Sequence, residues 1–248
     1  MGDNLKIEEY RILLENMLSL CNKMPEAILH NYFNVNEYLY SLYFEAFNSI
    51  KGICVLLGNG GLITQTASIL RMAIEQTATI RVLEDHKELQ DSYKEHRRLR
   101  YEVMDLDSSE KRKNVREHFK DKMDDSDNKK TLEYLEYGWL KPLNKEYGLN
   151  TLIDLSEIQD DNVIKNWKNE LNHFVHGPLE FTNFASTIDG PIVYAHVLIS
   201  IAAKLLDILI CDFHNENNFS FVIDNIDYRK KFLDAYIATK DKGGKNNV

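Results

Sequence analysis

Two small groups of residues in this chain have the types and spacing to do chemistry. The first is Arg71 with Glu75, the two charged side chains between Leu62 and Ile80. Their i,i+4 separation sets them one above the other on a single helix face, where a guanidinium and a carboxylate can pair or share a ligand. With Ile63, Ala67, Leu70 and Ile74 as the core stripe, both fall on its flank, a half-buried position. A charge held there is costly to desolvate unless a partner or a ligand offsets it.

The second group lies in "NELNHFVHG", residues 169 to 177. On a helix with Trp167 and Leu171 turned inward, Asn169, Asn172, His173 and His176 gather on the opposite side, just before a Gly177-Pro178 stop. A helix C-terminus favours the protonated imidazole, and an imidazole working near neutral pH is a general acid or base. The plain alternative is a histidine that merely caps the helix end. Glu170 and His173 have the E-x-x-H spacing of carboxylate-bridged di-metal bundles, but such a site needs a second copy and none occurs, so no metal and no cofactor are expected. Glycine-rich phosphate loops, G-x-S-x-G elbows and H-E-x-x-H are absent from the sequence.

An Arg-x-x-x-Glu on an early apolar helix, followed about a hundred residues later by a helix ending in "HFVHG", resembles the DUF5677-type all-α proteins. More remotely, over roughly residues 40 to 210, the chain is similar to the HEPN superfamily of helical ribonucleases and nucleic-acid-associated modules of toxin–antitoxin and antiviral systems. That resemblance implies metal-independent RNA cleavage at a dimer cleft, with a histidine in acid/base chemistry and an arginine on the phosphate. Carried over, His176 matches the motif's histidine and Asn172 its polar residue, while Leu171 stands where the motif has arginine. The resemblance therefore implies His176, Arg71 and Glu75 as the catalytic group, with Arg71 supplying the guanidinium from another helix and Glu75 orienting it. Asn172, His173, Arg97 and Arg100 would be substrate-binding. It also implies RNA as substrate, an antitoxin or defence partner protein, and a homodimer or other homo-oligomer. From a different class, the same polar groove suits a non-catalytic helical module that binds a partner protein or a nucleotide signal.

The elements that must position these residues are helical throughout. Ile7, Leu14, Met17, Leu18 and Cys21 give a helical period over residues 5 to 23, ending near Met24-Pro25. Asn36 is placed as N-cap of an aromatic-rich helix that stops at Gly58-Asn59-Gly60-Gly61, and a break so short makes it the antiparallel neighbour of the 62 to 84 helix. Residues 87 to 122 change to dense mixed charge over a thin stripe of Leu89, Tyr93, Leu99, Val103 and Leu106. They are expected to form two helices split near Asp107-Ser108-Ser109, with Ser109 as cap. The plain reading of this segment is a solvated outer face; the other is a phosphate-contacting rim of Arg97, Arg98, Arg100, Lys111, Arg112, Lys113 and Arg116. A polar loop is expected at 124 to 131, then short helical pieces, the Trp167 helix, a long helix at 191 to 213, an amphipathic segment near 225 to 238 and a disordered tail.

No alternating strand pattern appears, so the fold class is all-α: a single-domain antiparallel helical bundle with peripheral charged helices, over residues 1 to 238, with a tail at 239 to 248. Thirty basic against thirty-nine acidic residues give a net charge of −9, which argues against broad adhesion to nucleic acid or anionic lipid, though not against a local basic groove. Cys21, Cys54 and Cys211 are odd in number, lack CxxC spacing and sit in apolar helical context, so they are expected as buried thiols of a reducing cytoplasm. The first ten residues lack the apolar core of a secretory signal, and His196, Lys204 and Asp207 interrupt the longest apolar run, so no membrane span is expected.

Overall fold

The computed structural model describes residues 11–25, 37–58, 62–158, 164 and 190–217, and among these every regular element is a helix. In chain order they are α1 (residues 11–25), α2 (Glu37–Gly58), α3 (Ile63–Asp85), a 3-10 turn (Lys87–Leu89), α4 (Gln90–Glu102), α5 (Ser108–His118), α6 (Asp125–Lys129), α7 (Thr131–Tyr137), a second 3-10 turn (Gly138–Leu140), α8 (Leu149–Leu155) and α9 (Gly190–Asn217). The all-α expectation is met. The described contacts gather into two compact units, residues 1–77 with 161–248 and residues 78–160, the division falling after Thr77 within α3.

The first unit is built from the least charged segments. α1 buries Leu13, Met17, Leu20, Cys21 and Met24, a run spaced by three and four residues. α2 buries Leu42, Tyr43, Ala46, Phe47, Ile50, Ile53 and Cys54, and α9 packs against it through a nearly unbroken apolar stretch from Leu198 to Ile210. α2 and α3 run in opposite directions: Ser49 Oγ donates to Gln76 Oε1 at 2.8 Å, and Gly52 faces Ile69. The stripe Ile63, Ala67, Leu70 and Ile74 is buried as the period required. Of the cysteines, Cys21 and Cys54 are buried and their thiols are pushed up by burial, Cys54 to about 12, whereas Cys211 is only half-buried.

The second unit holds the charged segment, and its core is aromatic. Leu99 and Val103 of α4, Val115 and Phe119 around α5, and Tyr134 and Leu135 of α7 form one buried cluster, with Leu106, Met123 and Tyr147 packed on it. Trp139 is fully buried, its ring edge on Tyr93 at 5.0 Å and its Nε1 donating to the Glu136 carbonyl. Two local expectations are corrected here. The cap of α5 is Asp107, not Ser109: its carboxylate accepts from the backbone N–H of Ser109 at 2.7 Å and of Glu110 at 3.0 Å, and a carboxylate also complements the positive end of the helix dipole. The segment 124 to 131 is not a loop. Asp124 and Asp127 form a reciprocal capping box that starts the short helix α6 in spite of its polar composition.

Candidate functional site

α3 positions Arg71 and Glu75, and both are half-buried on the flank of the apolar stripe, where the helical period placed them. Other polar side chains of this helix satisfy themselves at once. Thr66, Ser68 and Thr77 donate to the carbonyls of Leu62, Thr64 and Ala73, one turn back, and Gln76 is met by Ser49. Arg71 does not. Its Nε is buried and has no hydrogen-bond partner among the described residues. The i,i+4 ion pair that the spacing permits with Glu75 is absent from the salt bridges of the described residues, which at this spacing are Arg11–Glu15, Arg98–Glu102 and Lys113–Glu117. A buried donor on a charged group, left unmade, is a costly arrangement that native proteins keep rarely, and an anion beside it would repay the cost. A planar guanidinium suits a phosphate or carboxylate oxygen there.

Asn169, Glu170, Asn172, His173 and His176 lie outside the described residues, as do the amphipathic segment near 225 and the tail. Among the described residues no group of three or more His, Cys, Asp or Glu side chains is arranged to hold a metal ion. No helix among them is long and apolar enough to cross a membrane.

In the second unit, Arg97 and Arg100 sit differently from each other. Arg100 is joined to Glu136 of α7 at 2.9 Å and helps tie α4 to its neighbour. Arg97 lies over the ring of Tyr101, its guanidinium carbon 5.8 Å from the centroid, with Nη2 donating to the phenol oxygen at 3.4 Å. Arg116, another member of the expected rim, is committed to the fold through Thr131 Oγ1 and the Asn128 carbonyl. Arg98 reaches Glu102 and Lys113 reaches Glu117, both pairs in solvent.

Two buried polar centres of this unit escaped the sequence reading. His96 is 2% exposed, stacked on Phe119 at 4.3 Å and tilted against Tyr134, with Nδ1 donating to the Leu135 carbonyl at 3.2 Å. Burial pulls its pKa down from 6.5 to about 4, against the smaller opposing effect of the Leu135 carbonyl. A signal was present: His96 fills the gap between Tyr93 and Leu99 in the apolar stripe of α4. The other centre is Asp127, 1% exposed, which accepts from the Tyr147 hydroxyl at 2.9 Å, the Asp124 N–H at 2.8 Å and the Lys141 ammonium. Lys141 also reaches Asp124 at 2.9 Å. Its own burial lowers the Lys141 pKa, but the two carboxylates outweigh that and hold it above the usual lysine range. Burial, then the bond to Asp127, raises Tyr147. No local pattern joins Asp127, Lys141 and Tyr147. Every member of this cluster is satisfied within the fold, which marks a clamp and not a ligand site.

Residues 36–184 match the model of DUF5677, a family of unknown function. No curated protein and no solved structure matches the chain.

Proposed function

The chain belongs to the DUF5677 family, and from that premise we propose that it is an RNA-directed helical protein of HEPN-like type, in which Arg71 grips a phosphate and His176 moves a proton. The observation that carries the reading is the buried, unpartnered Nε of Arg71 on a helix whose other polar side chains are largely self-satisfied. The span of the family match supports it further, because it takes in both the Arg71 helix and the "HFVHG" segment. In the proposed reaction Arg71 holds the non-bridging oxygens of the scissile phosphate and Glu75 orients it. His176 takes the proton of the 2′-hydroxyl as that oxygen attacks phosphorus, and returns it to the 5′-oxygen as the P–O bond breaks. The products are a 2′,3′-cyclic phosphate and a 5′-hydroxyl end. Asn172 and His173 position the strand. The setting is a defence or toxin system, with a partner protein that restrains the activity.

The test is RNA cleavage by purified protein. His176→Ala is expected to lower the rate ~10²- to 10⁴-fold, the usual worth of a positioned acid/base. Arg71→Lys is expected to impair it too, because an ammonium lacks the two-pronged grip of a guanidinium. Chelator is expected to change nothing. Arg71→Met removes the orphaned donor while keeping an apolar stem, so its melting temperature should stay level or rise as activity falls. Leu171 in place of the motif's arginine favours the second reading, a non-catalytic module. That reading replaces the nuclease if no RNA is cut under any condition, yet His176→Ala or Arg71→Met weakens capture of a nucleotide or a partner protein.

A further inference from the structure

The solvent face of α4 carries an unusual combination. Tyr101 is 61% exposed and Met104, just past the helix end, 59%. Counting back from Tyr101 at 100° per residue, Arg97, Arg98 and Lys94 all fall within about 60° of it, a stripe of three cations over two turns. The carboxylates of the helix are drawn off this stripe. Glu95 is turned away to His118 at 3.2 Å and to Lys122, whose joint pull overcomes burial and holds its carboxyl below the usual range. Glu102 lies to the side, meeting Arg98 at 3.2 Å in a pair with both members more than half exposed. Such a pair is weak, and Arg98 can exchange it for a phosphate. Arg97 braces the Tyr101 ring from one side by a cation–π contact, so the exposed ring is held in place, not free to swing.

We propose that this face of α4 is a platform for single-stranded nucleic acid: Tyr101 stacks an unpaired base, Lys94, Arg97 and Arg98 take the flanking phosphates, and Met104 borders the base with an adaptable apolar edge. A braced aromatic with cations at one-turn intervals is the arrangement by which proteins hold single strands without reading sequence. The charge of the occupant follows from the stripe, and the need for an unpaired base follows from the exposed ring. Arg100 is outside the platform, since its guanidinium is spent on Glu136. The proposal stands apart from the Arg71 reading, and the two fail separately.

The experiment is fluorescence anisotropy of full-length protein with a short, end-labelled oligouridine at about 50 mM salt, where phosphate contacts are strongest. Binding is expected, and Tyr101→Ala should weaken it about tenfold or more while Tyr101→Phe retains it. Arg98→Ala should lower the slope of log affinity against log salt by about one, as loss of a phosphate contact does; Arg100→Ala should leave that slope unchanged. The matching oligodeoxynucleotide should bind comparably, because stacking and phosphate contact use no 2′-hydroxyl. Carrying Tyr101→Ala in both wild-type and Arg71→Met backgrounds separates the two sites: the platform predicts the same loss in each. Tyr101 is exposed, so the melting temperature should not move and checks that each variant folds. The proposal is overturned if no oligonucleotide binds at low salt or if Tyr101→Ala binds as wild type does. It is equally overturned if the deoxy strand fails to bind, or if an RNA duplex or polyglutamate competes as well as the single strand.

Discussion

His96 shows how much one misjudged side chain decides. An imidazole stacked between Phe119 and Tyr134 is held neutral by burial, with its pKa at about 4 against 6.5 when exposed. The folded value is the lower one, so this residue's contribution is fully present above pH 6.5 and is lost as pH falls toward 4, where the unfolded chain gains a proton that the folded unit refuses. The loss over that window is on the order of 3 kcal/mol at 1.36 kcal/mol per pH unit. Melting temperatures of the wild type and His96→Phe, compared from pH 7 to 4, should diverge at neutral pH and converge on acidification. Parallel curves would mean that the imidazole is not held neutral. Beside it, Gly138 is a residue the ring stack requires: an added Cβ would stand 2.8 Å from the Tyr134 ring and 2.9 Å from His96 Cε1. Gly138→Ala is expected to destabilise by about 1 to 3 kcal/mol, the usual cost of overpacking, in denaturant unfolding.

At the scale of the element, caps decide where the charged segment becomes helix. Asp107 holds two N–H groups at the start of α5, and these bonds keep its carboxyl below the usual carboxylate range. Asp107→Ala should cost about 1 kcal/mol by thermal unfolding, whereas Ser109→Ala, inside the first turn, should cost less than about half of that. A larger loss at Ser109 would restore it as the cap. α6 is held by a different means, since its five residues are too few to propagate a helix alone. The Asp127 carboxylate ties its first turn to Lys141 and Tyr147, from beyond α7. Asp127→Ala leaves the Tyr147 hydroxyl and the Asp124 N–H without an acceptor, so it is expected to destabilise by at least about 2 kcal/mol, more than Asp124→Ala on the solvent side of the same box.

At the scale of the whole molecule, the two units differ in what stabilises them. Residues 1–77 with 161–248 contain the long apolar helices α2 and α9, and their described core is aliphatic with the aromatics Tyr43 and Phe47. Residues 78–160 rely on a smaller aromatic cluster built around His96 and on the Asp127 clamp. Acidification therefore acts on the second unit first. Hydrogen exchange near pH 4.5 should show amides of α4, α5 and α7 losing protection while those between Leu198 and Ile210 keep it; uniform loss would point to a single cooperative response and away from His96 as its cause.

The sequence by itself determined the helices. Apolar residues at three- and four-residue spacing, few prolines and glycine breaks are enough to set helix type and approximate bounds, because helix geometry is local and repeats along the chain. For the same reason the half-buried station of Arg71 and Glu75 could be read from the period of α3 alone, and the short break after Gly58 made α2 and α3 antiparallel. What tertiary structure alone decided was which polar groups found partners. Whether Arg71 meets Glu75, whether Arg100 faces solvent or Glu136, and whether Asp127 sits in a loop or at the centre of a clamp depend on groups brought together from distant positions in the chain. Desolvation and hydrogen bonding are properties of the assembled surroundings, and no pattern along the sequence encodes the neighbour that a side chain will meet.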